Sequence, residues 1–279
     1  MKLFTGMLIL VLLVLAGGAS MHRSSAAPAG LQWADAARRT HAHFQGQAGT
    51  VAQFGDSITV TQAYWSPLRY ERRNASPGLE QAFRRVNSSL RPECWGDWKG
   101  PAFGSEGGQT VRWADAHLAE WLGKLNPEVA VVLFGTNDLQ ALELPEYRNT
   151  LRSLAQRCQE RGTVPILTTV PPRHGSEKKA EQFAQAAREI AAELSLPLID
   201  YHAEILKRRP EDWDGALNRF KGIDTYEVPT LISGDGVHPS FPKRFQSDYS
   251  EEGLRTSGYT LRNYLTLLKV AEVLDVLKP

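Results

Sequence analysis

The chain has 279 residues, a formal net charge of +1, 42% hydrophobic and 23% charged residues. That is an ordinary globular composition, long enough for one large domain or two small ones. A balance this close to neutral supplies no global attraction to nucleic acid or to an anionic membrane, and the dense arginines Arg69, Arg72, Arg73, Arg84 and Arg85 read as a solvated helix face.

In chain order, Lys2 precedes an almost wholly apolar run over residues 7–16, followed by Gly17, Gly18, Ala19 and Ser20. This pattern predicts a secretory signal over residues 1–27, cleaved after 20 or after 27. An uncleaved anchor is the alternative. No cysteine follows the run, which argues against a lipid-modified cysteine, and no later stretch is long and apolar enough to span a bilayer. The expected location is therefore secreted or periplasmic. Residues 28–48 read as an N-terminal extension with a helix near 31–43, and residues 49–279 as the main domain.

Within that domain a strand is expected over 50–54, a helix over 77–90 and a Pro-, Gly- and Trp-rich loop over 91–108. Val111, Ala114, Leu118, Trp121, Leu122 and Leu125 keep helical spacing, and Asn126-Pro127 stops that helix. Residues 129–134 form a continuous apolar run, as in a strand buried on both faces. A helix over 146–161, a strand over 164–170, a helix over 177–196, a short strand over 198–200 and a closing helix over 257–277 complete the pattern. Strands alternating with helices predict a parallel sheet covered on both sides, with reactive groups at the strands' carboxyl ends.

Four motifs fall on that scaffold. Gly55-Asp56-Ser57 follows the first strand, Gly107-Gly108-Gln109-Thr110 precedes a helix, Gly135-Thr136-Asn137-Asp138 follows the 129–134 run, and Asp235-Gly236-Val237-His238 lies far downstream. A serine hydroxyl is a poor nucleophile unless a base sits within hydrogen-bond reach and a carboxylate orients that base. Ser57, His238 and Asp235 supply these three groups. The oxyanion of a tetrahedral intermediate needs donors. The N–H of Ser57, the N–H of Gly108 and the side-chain amide of Asn137 are the candidates, with Gly104 and Gly107 near enough to compete for the glycine's place. Asp56 and Asp138 read as structural, Asp138 as the cap of the turn that follows it. A helix-capping serine is the plain alternative for Ser57.

These motifs, in this order from Phe54 to Pro239, resemble the SGNH/GDSL hydrolase superfamily of esterases and lipases. The resemblance implies a flavodoxin-like, three-layer α/β/α sandwich with a central parallel sheet, no metal or other cofactor, and for Ser57, His238, Asp235, Gly108 and Asn137 the roles just given. Two stretches depart from the family, 60–112 and 240–255, and both are expected to border the pocket. Substrate class is therefore not carried over.

Trp65, Trp95, Trp98 and Trp113 cluster near the first motifs. Trp65 and Trp98 are candidate stacking platforms for a sugar, and Arg173 a candidate grip for an acidic group, although tryptophans more often staple cores and loops. His174 lacks a nearby upstream carboxylate. His41 and His43 have no further ligands to hold a metal. Asn74 and Asn87 head glycosylation-type triplets. Cys94 and Cys158 are as readily two free thiols as one bridge. No Gly-x-Ser-x-Gly elbow, phosphate-binding loop or His-Glu-x-x-His stretch occurs. The expectation is an exported serine esterase acting on short, acetyl-type esters of a small molecule or polysaccharide. A lipase, thioesterase or sugar acyltransferase and a non-catalytic carbohydrate-binding module are the alternatives.

Overall fold

The structure, a computed structural model, describes residues 29–278. The expected signal over 1–27 lies outside them. Four parallel strands, β1 (Val51–Gly55), β2 (Val129–Leu133), β3 (Val164–Thr168) and β4 (Leu198–Ile199), lie side by side in that order. On the outer edge of β1, Gly55 also makes a one-residue parallel bridge to Ser105. Its N–H donates to Gly104 O at 3.0 Å, and its carbonyl accepts from Glu106 N at 3.1 Å.

That bridge decides the layering. The chain leaves β1 outward to Ser105, then returns past β1 to β2, so the direction of progress reverses at β1. Crossovers between parallel strands are right-handed, and reversing direction moves the connecting helix to the opposite face. Helix α3 (Pro77–Ser89) accordingly packs on one face, and α4 (Val111–Leu125), α6 (Leu144–Glu160) and α7 (Glu177–Glu193) on the other. Helices α1 (Ala29–His41) and α10 (Gly258–Leu277) complete the first layer.

Alternation along the strands feeds both cores. Val51, Val129, Val131, Leu133, Val164 and Ile166 face α1, α3 and α10. Ala52, Phe54, Ala130, Val132 and Leu167 face α4, α6 and α7. Each valine, leucine or isoleucine so buried contributes about 1.5–3 kcal/mol. This is the expected three-layer α/β/α sandwich. Trp33, Ala34 and Ala37 of α1 belong to the first core, so the segment preceding the sheet is packed into the domain.

Helix ends follow their local chemistry. Ser76 accepts from Leu79 N ahead of Pro77. Asn126 takes a left-handed conformation before Pro127 and ends α4. Four short helices were not visible as periodic patterns: α2 (Ser57–Val60), α5 (Asp138–Ala141), α8 (Tyr201–Arg208) and α9 (Glu251–Thr256). One or two turns do not show a hydrophobic period. Cys94 and Cys158 are both free and buried, Cys94 in one core and Cys158 in the other. The sheet stands between them.

Candidate active site

Because the strands are parallel, their carboxyl ends share one edge. The chain at the end of β1 turns at once into α2, with Ser57 as its first residue and Asp56 as its cap. Asp56 Oδ1 accepts from Ile58 N at 3.0 Å. Gly55 allows the turn: a Cβ there would meet Leu133 O at 2.6 Å. Asp56 is fully buried. Burial raises its carboxyl to about 6, against the opposing influence of the Ile58 N–H and the Arg262 charge.

The turn from Asp235 to His238 is built on its carboxylate. Asp235 Oδ1 accepts from Ser233 Oγ at 2.7 Å, Val237 N at 2.8 Å and His238 N at 2.9 Å. Its Oδ2 lies 2.7 Å from His238 Nδ1. Gly236 has φ +71° and faces His174, whose Cβ would lie 2.4 Å from an added methyl, so only glycine fits. Burial alone raises Asp235's pKa, but the His238 ring and main chain, the Ser233 hydroxyl and the Val237 N–H outweigh it. The carboxyl is held far below the usual range. The Asp235 hydrogen bond in turn raises His238 above 6.5, with burial opposing.

His238 Nε2 lies 2.9 Å from Ser57 Oγ. With its Nδ1 hydrogen given to Asp235, a neutral imidazole presents Nε2 as an acceptor toward the hydroxyl. The arrangement is able to draw a proton from Ser57 and return it to a leaving group.

The other two motifs are tied together beside Ser57. Asn137 Nδ2 donates to Gln109 O at 2.9 Å. Asp138 Oδ1 accepts from Val111 N at 2.8 Å. Asp138 thus caps α4 rather than the turn that follows it, where Asn137 holds the cap position. Burial, reinforced by the Asp56 charge, raises Asp138 to about 7, although the Val111 N–H opposes the shift. The tethered loop runs against Ser57: a Cβ on Gly107 would stand 3.8 Å from Ser57 Cβ. Gly108, the next residue, has φ +79° and open space around it.

A cavity of about 450 Å³ opens beside Ser57 and His238, lined by Thr61, Ala63, Tyr226, Glu227, Phe241, Gln246 and Tyr259. Both stretches that departed from the family pattern do reach it, through Thr61 and Ala63 and through Phe241 and Gln246. Tyr226 and Glu227 come from an irregular segment that carried no sequence signal, having neither a period nor a motif.

The tryptophans read differently in three dimensions. Trp65 is fully buried, donates its indole N–H to Cys94 O at 3.1 Å and stacks on Trp95. It is a core staple and offers no surface to a substrate, which corrects its expected place in the pocket. Trp98 is half-buried, stacks on Phe103, and does not line the cavity. Arg173 does not line the cavity either. Its Nη1 donates to Thr136 O at 2.6 Å, and its charge acts on His238. His174 has a carboxylate after all: Asp214, 40 positions downstream, accepts from its Nδ1 at 2.5 Å. Among the described residues no cluster able to hold a metal ion occurs, and no helix is long and apolar enough to cross a membrane.

The profile of the GDSL-like lipase/acylhydrolase family matches residues 54–242. Several solved structures are similar at low identity. A lipase/acylhydrolase from Enterococcus faecalis is 18% identical over 80% of this chain and 95% of its own, with a TM-score of 0.48. A GDSL-like lipase from Bacteroides thetaiotaomicron is 16% identical over 87% and 98%, at 0.49. A catalytic mutant of an acetylxylan esterase from Geobacillus stearothermophilus is 18% identical over 84% and 96%, at 0.47. No curated protein matches. With the family profile spanning all four motifs, the chain belongs to the GDSL-like lipase/acylhydrolase family and is an ester hydrolase of the SGNH type.

Proposed function

We propose that this protein is an exported serine esterase that removes short acyl groups, acetyl foremost, from a carbohydrate through an acyl-enzyme. The observation that carries the reading is the continuous relay from Ser57 Oγ through His238 to Asp235, with links of 2.9 and 2.7 Å. Ser57 Oγ attacks the ester carbonyl while His238 Nε2 takes its proton. The C–O bond to the alcohol then breaks, and His238 returns the proton to the leaving oxygen. Water repeats the sequence on the acyl-enzyme and releases the acid. Asp235 holds the imidazole tautomer and stabilises the imidazolium. The N–H groups of Ser57 and Gly108 and the Asn137 amide receive the oxyanion. Each such donor is worth about 10²–10³ in turnover.

The carbohydrate half of the reading rests on the cavity. Tyr226 is 42% exposed, and its ring centroid lies 6.4 Å from that of His238. An exposed aromatic face beside carboxylate and carboxamide acceptors, here Glu227 and Gln246, suits a ring bearing hydroxyls. Arg173, whose charge acts on His238, is the group we assign to an acidic substituent. Export rests on the signal-like pattern over residues 1–27, ahead of the helix α1 that packs into the domain.

Acetate release from acetylated polysaccharides and simple esters, with a Ser57→Ala control, tests the proposal. A preference for long-chain nitrophenyl esters removes the acetyl version in favour of a lipase or thioesterase. Acyl transfer to an added sugar replaces water as second nucleophile. Glycan binding without any hydrolysis favours a binding module.

A further inference from the structure

The segment carrying Ser57 continues from α2 into a tight turn that reaches Trp65, and that turn is gripped from two distant parts of the chain. From α10, Arg262 donates to Ile58 O at 2.7 Å and to Thr59 Oγ1 at 3.0 Å. Asn263 accepts from Trp65 N at 2.7 Å and donates to Ala63 O at 3.0 Å. From the loop before Gly107, Lys99 Nζ donates to Thr59 O at 3.3 Å, to Tyr64 O at 3.0 Å and to Thr61 O. The peptide joining Tyr64 to Trp65 is thus held on both sides, its oxygen by Lys99 and its N–H by Asn263. Trp65 has φ +64°, a region a residue with a large side chain rarely adopts unless its surroundings impose it.

We propose that Lys99 is a positioning residue for ester hydrolysis: its ammonium clamps the turn that joins the nucleophile to the pocket wall. This rests on the reading of Ser57 as nucleophile. Thr61 and Ala63, within the clamped turn, line the cavity next to Ser57, so slack there displaces both the attacking hydroxyl and the bound ester. An ammonium has three hydrogens for the three carbonyls. A neutral amine has two, and turns a lone pair on the third oxygen. The clamp therefore needs the charged form. The charged group acting on Lys99 is Arg262, and the Tyr64 ring centroid lies 5.8 Å from Nζ. Burial and the Arg262 charge draw the Lys99 ammonium down to about 7. Tyr64 is raised by its own burial and stays neutral.

The test is the pH dependence of kcat and KM on nitrophenyl acetate for wild type, Lys99→Met, Lys99→Arg and Ser57→Ala. Wild type is expected to lose activity on the alkaline side as Lys99 deprotonates. Lys99→Met should lower kcat by roughly tenfold to a hundredfold, as expected for a displaced reacting group, and should lack that alkaline limb. Lys99→Arg stays charged and should carry the limb upward by about one pH unit or more. A folded Lys99→Met with kcat and KM within about twofold of wild type and the same pH profile overturns the clamp. If that variant does not fold, a Lys99→Arg limb coincident with wild type overturns it equally. Undiminished hydrolysis by Ser57→Ala sinks the nucleophile assignment and the clamp's purpose with it. An inactive Ser57→Ala beside an unaffected Lys99→Met sinks the clamp alone.

Discussion

His238 Nε2 lies 2.9 Å from Ser57 Oγ across 181 positions of sequence. The contact joins the first turn after β1 to an irregular loop before the closing helices, and the proposed chemistry passes through it. Replacing Ser57 or His238 with alanine should lower kcat/KM on nitrophenyl acetate by roughly 10⁴-fold or more. The melting temperature should stay near wild type, because neither side chain carries core packing. An Ser57→Ala enzyme with wild-type rates removes the serine from the reaction.

On the proposed chemistry the acid limb of kcat/KM should report His238. The imidazole must be neutral to accept the Ser57 proton, so activity is lost as pH falls through its pKa. The Asp235 carboxylate raises that pKa above 6.5, and the limb should therefore lie above the ordinary histidine value. Asp235→Asn should bring the limb down and lower the plateau. A limb unmoved by this change assigns it to another group.

Asp138 separates capping from charge. Its folded pKa is raised by burial, so its contribution to stability is present below 3.8 and is lost as pH rises through about 7. Asp138→Asn keeps an acceptor for Val111 N and abolishes the charge, and its melting temperature should decline less steeply than wild type over that interval. Asp138→Ala loses the cap and should cost about 1 kcal/mol or more at every pH. Thermal melts across pH decide. Parallel curves for wild type and Asp138→Asn place the slope elsewhere, with Asp56, whose charge acts on Asp138 and whose own carboxyl is raised, the next candidate.

Gly236→Ala forces a side chain into a left-handed position facing His174. We expect a loss of about 1–3 kcal/mol in stability. We also expect a fall in kcat on the order of tenfold as the Asp235 to His238 turn shifts. Denaturant unfolding and steady-state rates measure the two effects, and a fully active, equally stable variant contradicts the packing.

Cys94 and Cys158 are buried on opposite faces of the sheet, and burial pushes both thiols up to about 12. A thiol reagent should titrate neither in the native protein and both in denaturant. Reductant should leave the melting temperature unchanged. One thiol or none in denaturant, or destabilisation by reductant, overturns this arrangement.

Local sequence determined the longer elements and the identity of the candidate reacting groups. Continuous apolar runs at β2 and β3 announce strands buried on both faces, and helical spacing announces α4 and α7, because both signals repeat within a few residues. The four motifs name Ser57, Gly108, Asn137, Asp235 and His238 as candidates because each chemistry demands a particular residue at a turn. What only the tertiary structure decided is which side chains meet. Trp65 and Tyr226 look equally available as text, yet one is sealed in a core and the other flanks His238. His174 finds Asp214, and Lys99 finds three carbonyls, across distances that no local pattern encodes. Such contacts depend on how layers close around the sheet, and that closure follows from burial summed over the whole chain, not from any short stretch of it.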